Sequence, residues 1–406
     1  MRIGILGQGF VEWGGGIDFL RMVVSSLHHS GVDVELHALV PTRGPRLSAL
    51  RALRHAYRSA KALAGRGKAA APRADARLVL DLDLDLAESA QQPVRMHEID
   101  IGVTALARAA RGLSLDVLIP AFAPLPRGFP TPWVGYLYDF QHRYLPQLFT
   151  PAECAQRDRQ FAAMLQNANA VIVNARSVAA DIERFYPEAR ARVFALPFGA
   201  APHPAWLLPS ASPAVKYGIQ SPYFIICNQF WKHKDHATAF QAYARFAASH
   251  DGVELVCTGP TDDYRDAAYF AGLQRMLARD GLAQRVRILG LVPKGDQIAL
   301  LKGSIALIQP TLFEGGPGGG AVYDALALGV CCLVSDIVVN RELVEPGVRF
   351  FPAGDAPALA AAMADAIRQA CTLPRDVDAL RDRGRARRAA CGRQIVAALD
   401  HVLAPR

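Results

Sequence analysis

No stretch of this 406-residue chain reaches the roughly 18 uncharged apolar residues that a membrane-spanning helix requires. The N-terminus, Met1-Arg2-Ile3-Gly4-Ile5-Leu6, enters a strand at once. It lacks the apolar core and small-residue cleavage site of a signal peptide, which predicts a cytoplasmic protein. The seven cysteines (Cys154, Cys227, Cys257, Cys331, Cys332, Cys371 and Cys391) contain no C-x-x-C pair. That scatter argues against a disulfide framework and a zinc site, and it predicts reduced, mostly buried thiols. No internal repeat of solenoid length is present.

What is present is an apolar half, 51% of residues, in a chain long enough for two domains and therefore for a cleft between them. The net charge of +8 is concentrated, because Arg43 to Arg77 holds ten Lys and Arg against Asp75 alone. Within it Leu47, Leu50, Leu53, Tyr57, Ala60 and Ala64 step by three or four among arginines, which predicts a basic amphipathic helix over 46–64. Such a helix either docks on an anionic membrane surface or packs as a solvated helix on its own domain. Nucleic acid is disfavoured, as no aromatic-interleaved basic groove accompanies it.

Strand and helix alternate through both halves, which predicts parallel sheets wrapped by helices. The first series of strands is Arg2–Leu6, Val32–Val40, Leu78–Asp85, Asp116–Ile119, Trp133–Tyr138 and Ala170–Val173. Gly199 to Ser221, with Pro202, Pro204, Pro209 and Pro213, reads as a linker. The second series is Tyr223–Cys227, Glu254–Thr258, Val286–Leu289, Ile305–Gln309, Cys331–Ser335 and Arg349–Pro352. Leu80 to Leu86 alternates Leu and Asp; overlapping Asp-x-Asp is used elsewhere to hold a cation, but period two is first of all a half-wet strand.

The most informative segment is Phe313 to Gly329, where Glu314 precedes Gly315, Gly316, Gly318, Gly319 and Gly320 and a helix follows. Glycines let backbone N–H groups and the positive end of a helix approach an anion, while the carboxylate accepts from hydroxyls. No Gly-Lys-Ser/Thr follows, so this is not the loop of a nucleotide triphosphatase. Gly14, Gly15 and Gly16 precede a helix in the first half; Gly7-Gln8-Gly9 lacks the third glycine of a dinucleotide fingerprint, where Glu12 stands. Strand Tyr223–Cys227 leads into Asn228-Gln229-Phe230-Trp231-Lys232-His233-Lys234-Asp235-His236, whose lysines can neutralise a diphosphate. Metal binding by His233 and His236 is disfavoured, since only Asp235 joins them locally. His142, after strand Trp133–Tyr138, is an acid/base or hydroxyl contact, or a structural hydrogen-bonder.

Together these residues resemble a retaining glycosyltransferase of family 4 with the GT-B fold, an α/β architecture of two doubly wound Rossmann-like domains facing across a cleft. The resemblance rests on Asn228–Lys234, Leu255–Gly259, Val286–Pro293, Pro310–Glu342 and Phe350–Asp355. More loosely it includes Gly14–Gly16, Asp139-Phe140-Gln141-His142 with Pro146, and Ala170–Asn174, altogether about two thirds of the chain. It implies an N-terminal acceptor-side domain, 1–203, and a nucleotide-sugar-binding domain, 204–387, with a helix at about 388–406 packing back on the first. Glu314 would bind the donor sugar's hydroxyls, Gly315–Gly320 the sugar and diphosphate, Lys234 the phosphates and Asp324 the ribose. His142 would contact the sugar from the other domain, Leu291 and Val292 would flank the base, and Gly15, Gly16, Asn228, Gln229 and Lys232 would complete the donor site. The acceptor would be a glycan or lipid-linked sugar in cell-surface polysaccharide or lipopolysaccharide synthesis. The protein would then sit in the cytoplasm or on the inner face of its membrane, and no metal or cofactor beyond the nucleoside-diphosphate sugar is implied.

Three departures stand out. Nine residues, not seven, separate Glu314 from its second acid, which is Asp324 rather than Glu; Asn228-Gln229 stands where relatives place Arg; and Tyr138 stands where a His-Asp pair often begins. Two other functions suit the same scaffold: a sugar-nucleotide epimerase or phosphorylase, and a non-catalytic binding protein.

Overall fold

The computed structural model describes residues 1–11, 15–41, 93–209, 212–369 and 375–405. The expected basic helix 46–64, the Leu78–Asp85 strand and Gly14 lie outside them. The first sheet contains β1 (Arg2–Leu6), β2 (Glu35–Pro41), β3 (Arg95–Ile99), β4 (Val117–Ala121), β5 (Trp133–Leu137), β6 (Ala170–Val173) and β7 (Arg192–Ala195). The second contains β8 (Tyr223–Cys227), β9 (Glu254–Thr258), β10 (Val286–Gly290), β11 (Leu307–Gln309), β12 (Cys332–Ser335) and β13 (Val348–Phe351). Their orders are β3-β2-β1-β4-β5-β6-β7 and β10-β9-β8-β11-β12-β13, with every pairing parallel. The strand order thus reverses between β1 and β4 and again between β8 and β11, and ligands enter open parallel sheets at such reversals.

Helices cover both faces: α1 (Gly16–His28), α2 (Val103–Gly112), α3 (Gln141–Tyr144), α4 (Pro151–Asn167) and α5 (Arg176–Phe185) belong to the first sheet. The second carries α6 (His236–Ala247), α7 (Tyr269–Arg279), α8 (Lys294–Gly303), α9 (Gly319–Ala327) and α10 (Ala356–Arg368), followed by α11 (Val377–Leu403). Strands β4, β5 and β6 are buried throughout, which is why they appear in the sequence as uninterrupted apolar runs. The strands missing from the sequence reading are β3, Arg-Met-His-Glu-Ile, and β7, Arg-Val-Phe-Ala; they form the two edges, where one side meets water and the apolar signal thins. Of the described cysteines, Cys154, Cys227, Cys257, Cys332 and Cys391 are free. Cys331 is disulfide-bonded, which corrects the expectation that all the thiols are reduced.

The last helix is long and basic, yet it buries Cys391, Ile395, Ala398, Leu399 and Val402 in the same core as β1 and α1. Small residues make this crossing close: a Cβ on Gly392 would stand 2.2 Å from the Ser26 carbonyl oxygen, and one on Gly384 would stand 2.8 Å from the Pro202 ring. The helix therefore straps the second half of the chain to α1 of the first. Among the described residues no helix is long and apolar enough to cross a membrane.

Replacing Gly392 by Ala should lower stability by about 1–3 kcal/mol, because the backbone of α1 must move aside. Gly112→Ala, at a helical position with nothing within 4 Å, should be neutral or slightly stabilising. Thermal unfolding midpoints of the two variants test this; equal midpoints would show that the α1 crossing is not tight.

Candidate active site

Both segments that flank the reversal between β8 and β11 end in polar side chains. Asn228 follows β8 and Gln309 closes β11, and Asn228 Nδ2 donates to Gln309 Oε1 at 2.8 Å. Gln309 Nε2 in turn donates to Glu314 Oε1 at 2.9 Å, and Lys234 Nζ donates to the same oxygen at 2.5 Å. The Lys234 and Glu314 side chains are only 10% and 9% exposed. A buried carboxylate that accepts from an ammonium and an amide at one oxygen is held in place.

The N-terminal domain meets this group directly. A Cβ on Gly315 would lie 2.4 Å from the Tyr138 carbonyl oxygen and 2.9 Å from Asp139 Cβ, and one on Gly316 would lie 3.1 Å from Asn174 Cβ. The glycine-rich loop thus runs against the carboxyl ends of β5 and β6. Gly318 and Gly319 adopt φ of +75° and +65°, the left-handed region that glycine tolerates. Gly319 also faces Glu314, where a Cβ would stand 2.9 Å from Oε2. Only Gly320 has open space around it, at the start of α9, whose first turn has no side-chain cap. The N–H of Gly318 is already taken by Asn340 Oδ1 at 2.7 Å.

The remaining sequence-picked residues divide. Asp324 lies in the second turn of α9 and binds Lys294 Nζ at 2.5 Å. Burial holds its carboxyl above the ordinary range, with Asp18 of α1 adding to the effect and Lys294 opposing it. Lys294 is itself raised: burial pulls it down, but Asp324 and Asp18 outweigh that. Lys232 does not join Lys234; its side chain is 56% exposed and faces Asp266 at 3.4 Å. Gln229 follows Asn228 in the turn, and its carbonyl accepts from the Trp231 N–H. Leu291 is exposed and Val292 half-buried, just beyond β10. Gly15 caps α1 without a side chain, and Gly16 is held by the fold itself, since a Cβ there would lie 2.2 Å from the Phe10 carbonyl oxygen.

His142 is not open to the cleft. Its side chain has no exposed surface, Nε2 bonds Asp158 Oδ1 at 3.0 Å, and the ring lies among Phe140, Phe149 and Phe161. Burial lowers its proton affinity, against the pull of Asp158. A direct sugar contact by His142 therefore does not fit this arrangement. The N-terminal carboxylate that senses Glu314 is Asp139, which burial and, more weakly, Glu314 hold above the usual range while Arg157 opposes them. His233 faces Arg265 at 3.3 Å, whereas His236 stacks on Phe230 at 4.0 Å, so the two imidazoles do not converge on one point. Arg265 also donates to Gln141 of the other domain at 3.3 Å and sits over Trp231.

This pairing of two doubly wound sheets has known counterparts. HepE of Anabaena, solved with UDP and glucose, superposes with a TM-score of 0.61 at 15% identity over 98% of this chain and 99% of that one. Sucrose-phosphate synthase of Thermosynechococcus elongatus gives 0.60 at 15% identity, covering 98% and 97%. The chain has the GT-B fold. WaaG, a glycosyltransferase involved in lipopolysaccharide biosynthesis, gives 0.53 at 13% identity, covering 98% of each. Residues 215–387 match the family described as glycosyl transferases group 1, a span that holds Asn228, Lys234, Glu314 and Asp324 of this GT-B chain. No curated protein sequence matches the chain. The match and the fold support a glycosyltransferase.

One prediction follows from the imidazoles. His236 is fully buried with no hydrogen-bond partner on either ring nitrogen, and burial, with Lys234 adding, pushes it down from 6.5 to about 3. A depressed imidazole leaves the unfolded chain binding the proton first. The stability it allows is therefore complete above about pH 6.5 and falls as pH drops toward 3, by about 1.4 kcal/mol per unit per proton. His236→Phe should keep the stack on Phe230 and flatten the loss of thermal stability between pH 6 and 4 by about one proton. An unchanged pH slope would show that His236 is protonated in the fold.

Proposed function

We propose that the chain is a retaining glycosyltransferase of family 4. It would move a sugar from a nucleoside-diphosphate sugar to a hydroxyl of a glycan or glycolipid acceptor, in cell-surface polysaccharide or lipopolysaccharide synthesis. The observation that carries this reading is the buried Lys234–Glu314 pair beside the uncapped start of α9, at the reversal of the second sheet. It joins an acceptor for sugar hydroxyls to a cation and a helix dipole for phosphate. HepE's complex with UDP and glucose makes uridine nucleotides the first donors to test.

In this mechanism the bond between the anomeric carbon and the β-phosphate oxygen breaks while the acceptor hydroxyl attacks from the same face. Its proton passes to the departing phosphate oxygen, so configuration is retained and no side-chain nucleophile is needed. Lys234 and the Gly320 end of α9 carry the growing phosphate charge, which leaves no step for a metal ion. Glu314 orients the sugar, and Asp324, once drawn from Lys294, takes the ribose. Asp139 replaces His142 as the contact from the N-terminal domain, with His142 buried behind it. Leu291 and Val292 offer apolar surface for the base, and the basic segment 46–64 is the candidate for peripheral contact with an anionic membrane.

Thermal-shift screening against UDP, GDP and their sugars tests the donor class. A nucleotide at about one hundred times its Kd should stabilise the protein by about 2.7 kcal/mol. Glu314→Ala should then lower kcat/KM by about 10²–10³. Full transfer activity in that variant would overturn the assignment. Isomerised sugar or sugar phosphate formed without acceptor would point instead to an epimerase or phosphorylase.

A further inference from the structure

The start of α5 has no cap of its own: Ala175 occupies the N-cap, and its side chain accepts no hydrogen bond. The partner comes from the other domain. Glu342 accepts from the Arg176 N–H at 2.9 Å through Oε2 and from the Ser177 N–H at 2.7 Å through Oε1. The Arg176 guanidinium lies 3.5 Å away, and the Glu342 side chain is 16% exposed. A carboxylate held by two first-turn N–H groups at the positive end of a helix is a charge-assisted cap, here joining residues 165 and 166 positions apart.

The same short turn holds the glycine loop. Asn340, fully buried, accepts from the Gly318 N–H at 2.7 Å and donates to the Ser335 carbonyl at 2.9 Å. Gly316, two residues before that anchor, packs on Asn174, two residues before the start of α5. One three-residue turn, Asn340–Glu342, therefore grips the loop with its first side chain and the opposite domain with its last.

We propose that Glu342 is a positioning residue that closes the two domains by capping α5, and that Asn340 ties this closure to the order of the glycine-rich loop. Opening the cleft withdraws the carboxylate and leaves the Arg176 and Ser177 N–H groups to water. Closing it restores the cap and brings Asp139 against Gly315. Glu342 touches no substrate in this scheme. Its catalytic consequence rests on the transferase reading above, whereas the closure itself does not.

The test uses the full chain with Glu342→Ala, Glu342→Gln, Arg176→Pro and Arg176→Ala. Proline fits the first helical position after the extended Ala175 and deletes one donor without touching the second domain. Small-angle scattering without ligand should show a larger radius of gyration for Glu342→Ala and, to a lesser degree, for Arg176→Pro. Arg176→Ala, which keeps both N–H groups, should match wild type. UDP affinity should stay within about twofold in all four, while turnover of the donor found by screening should fall about tenfold in Glu342→Ala and less in Glu342→Gln, the loss expected of a helix cap. Wild-type scattering in Glu342→Ala overturns the proposal. So does loss of UDP binding parallel to loss of turnover, which would make Glu342 part of the donor site or of folding. If wild type binds no nucleotide and transfers nothing, the transferase reading fails, and the scattering comparison still decides whether Glu342 holds the domains together.

Discussion

The arrangement of this site depends on one buried ion pair, Lys234 with Glu314. Taking two charges out of water is costly, and the attraction between them repays it only when the remaining hydrogen-bonding capacity is used. Gln309 does this at the shared oxygen, and Asn228 fixes Gln309 in turn. The chain Asn228–Gln309–Glu314–Lys234 links the ends of β8 and β11, so the sheet's reversal and the site's electrostatics are one structure. Removing either charge would strand the other, at a cost of about 3–5 kcal/mol. A ligand that offers phosphate to the lysine and hydroxyls to the carboxylate satisfies both charges at once.

The glycines show how sequence and structure can agree on a loop and differ on its reason. A run of glycines beside an acid suggests backbone kept bare for an anion. In the folded chain four of the five are held by the protein's own atoms: Gly315 and Gly316 by the N-terminal domain, Gly318 by Val322 of α9 besides its positive φ, and Gly319 by Glu314 besides its own. Gly320 alone has free space around it. The loop is thus first an interdomain bearing and only at its last residue an open helix start. Contacts between distant segments set this division, and no local pattern encodes them.

Legibility followed burial only in part. Strands β6 and β8 match the sequence reading at both ends, whereas β4, buried throughout, runs over Val117–Ala121 rather than the expected Asp116–Ile119. Edge strands β3 and β7 of the first sheet escaped it, while the partly buried edge strands β10 and β13 of the second were found. In the site, Glu314 and Lys234 were legible because their chemistry is rare beside glycines and after a strand. Gln309, Lys294, Asn340 and Glu342 were not, since each matters through a partner at least five residues away. His142 and Lys232 carried suitable chemistry, but one is buried against Asp158 and the other turns to Asp266.

The surroundings of Asp324 follow from the loop before it. Two consecutive left-handed glycines, Gly318 and Gly319, turn the chain from its contact with Tyr138 and Asn174 into α9. Asp324 falls in the second turn of that helix. There the helix dipole supports it less, and Lys294, at the start of α8, supplies the compensating charge at 2.5 Å. Lys294 also senses Asp18 of α1, which places this second ion pair against the opposite domain as well. The acid is therefore offset by a lysine more than by the dipole of its own helix. Any hydroxyl that binds Asp324 must compete with that lysine, and the competition is set by how closely α1 approaches.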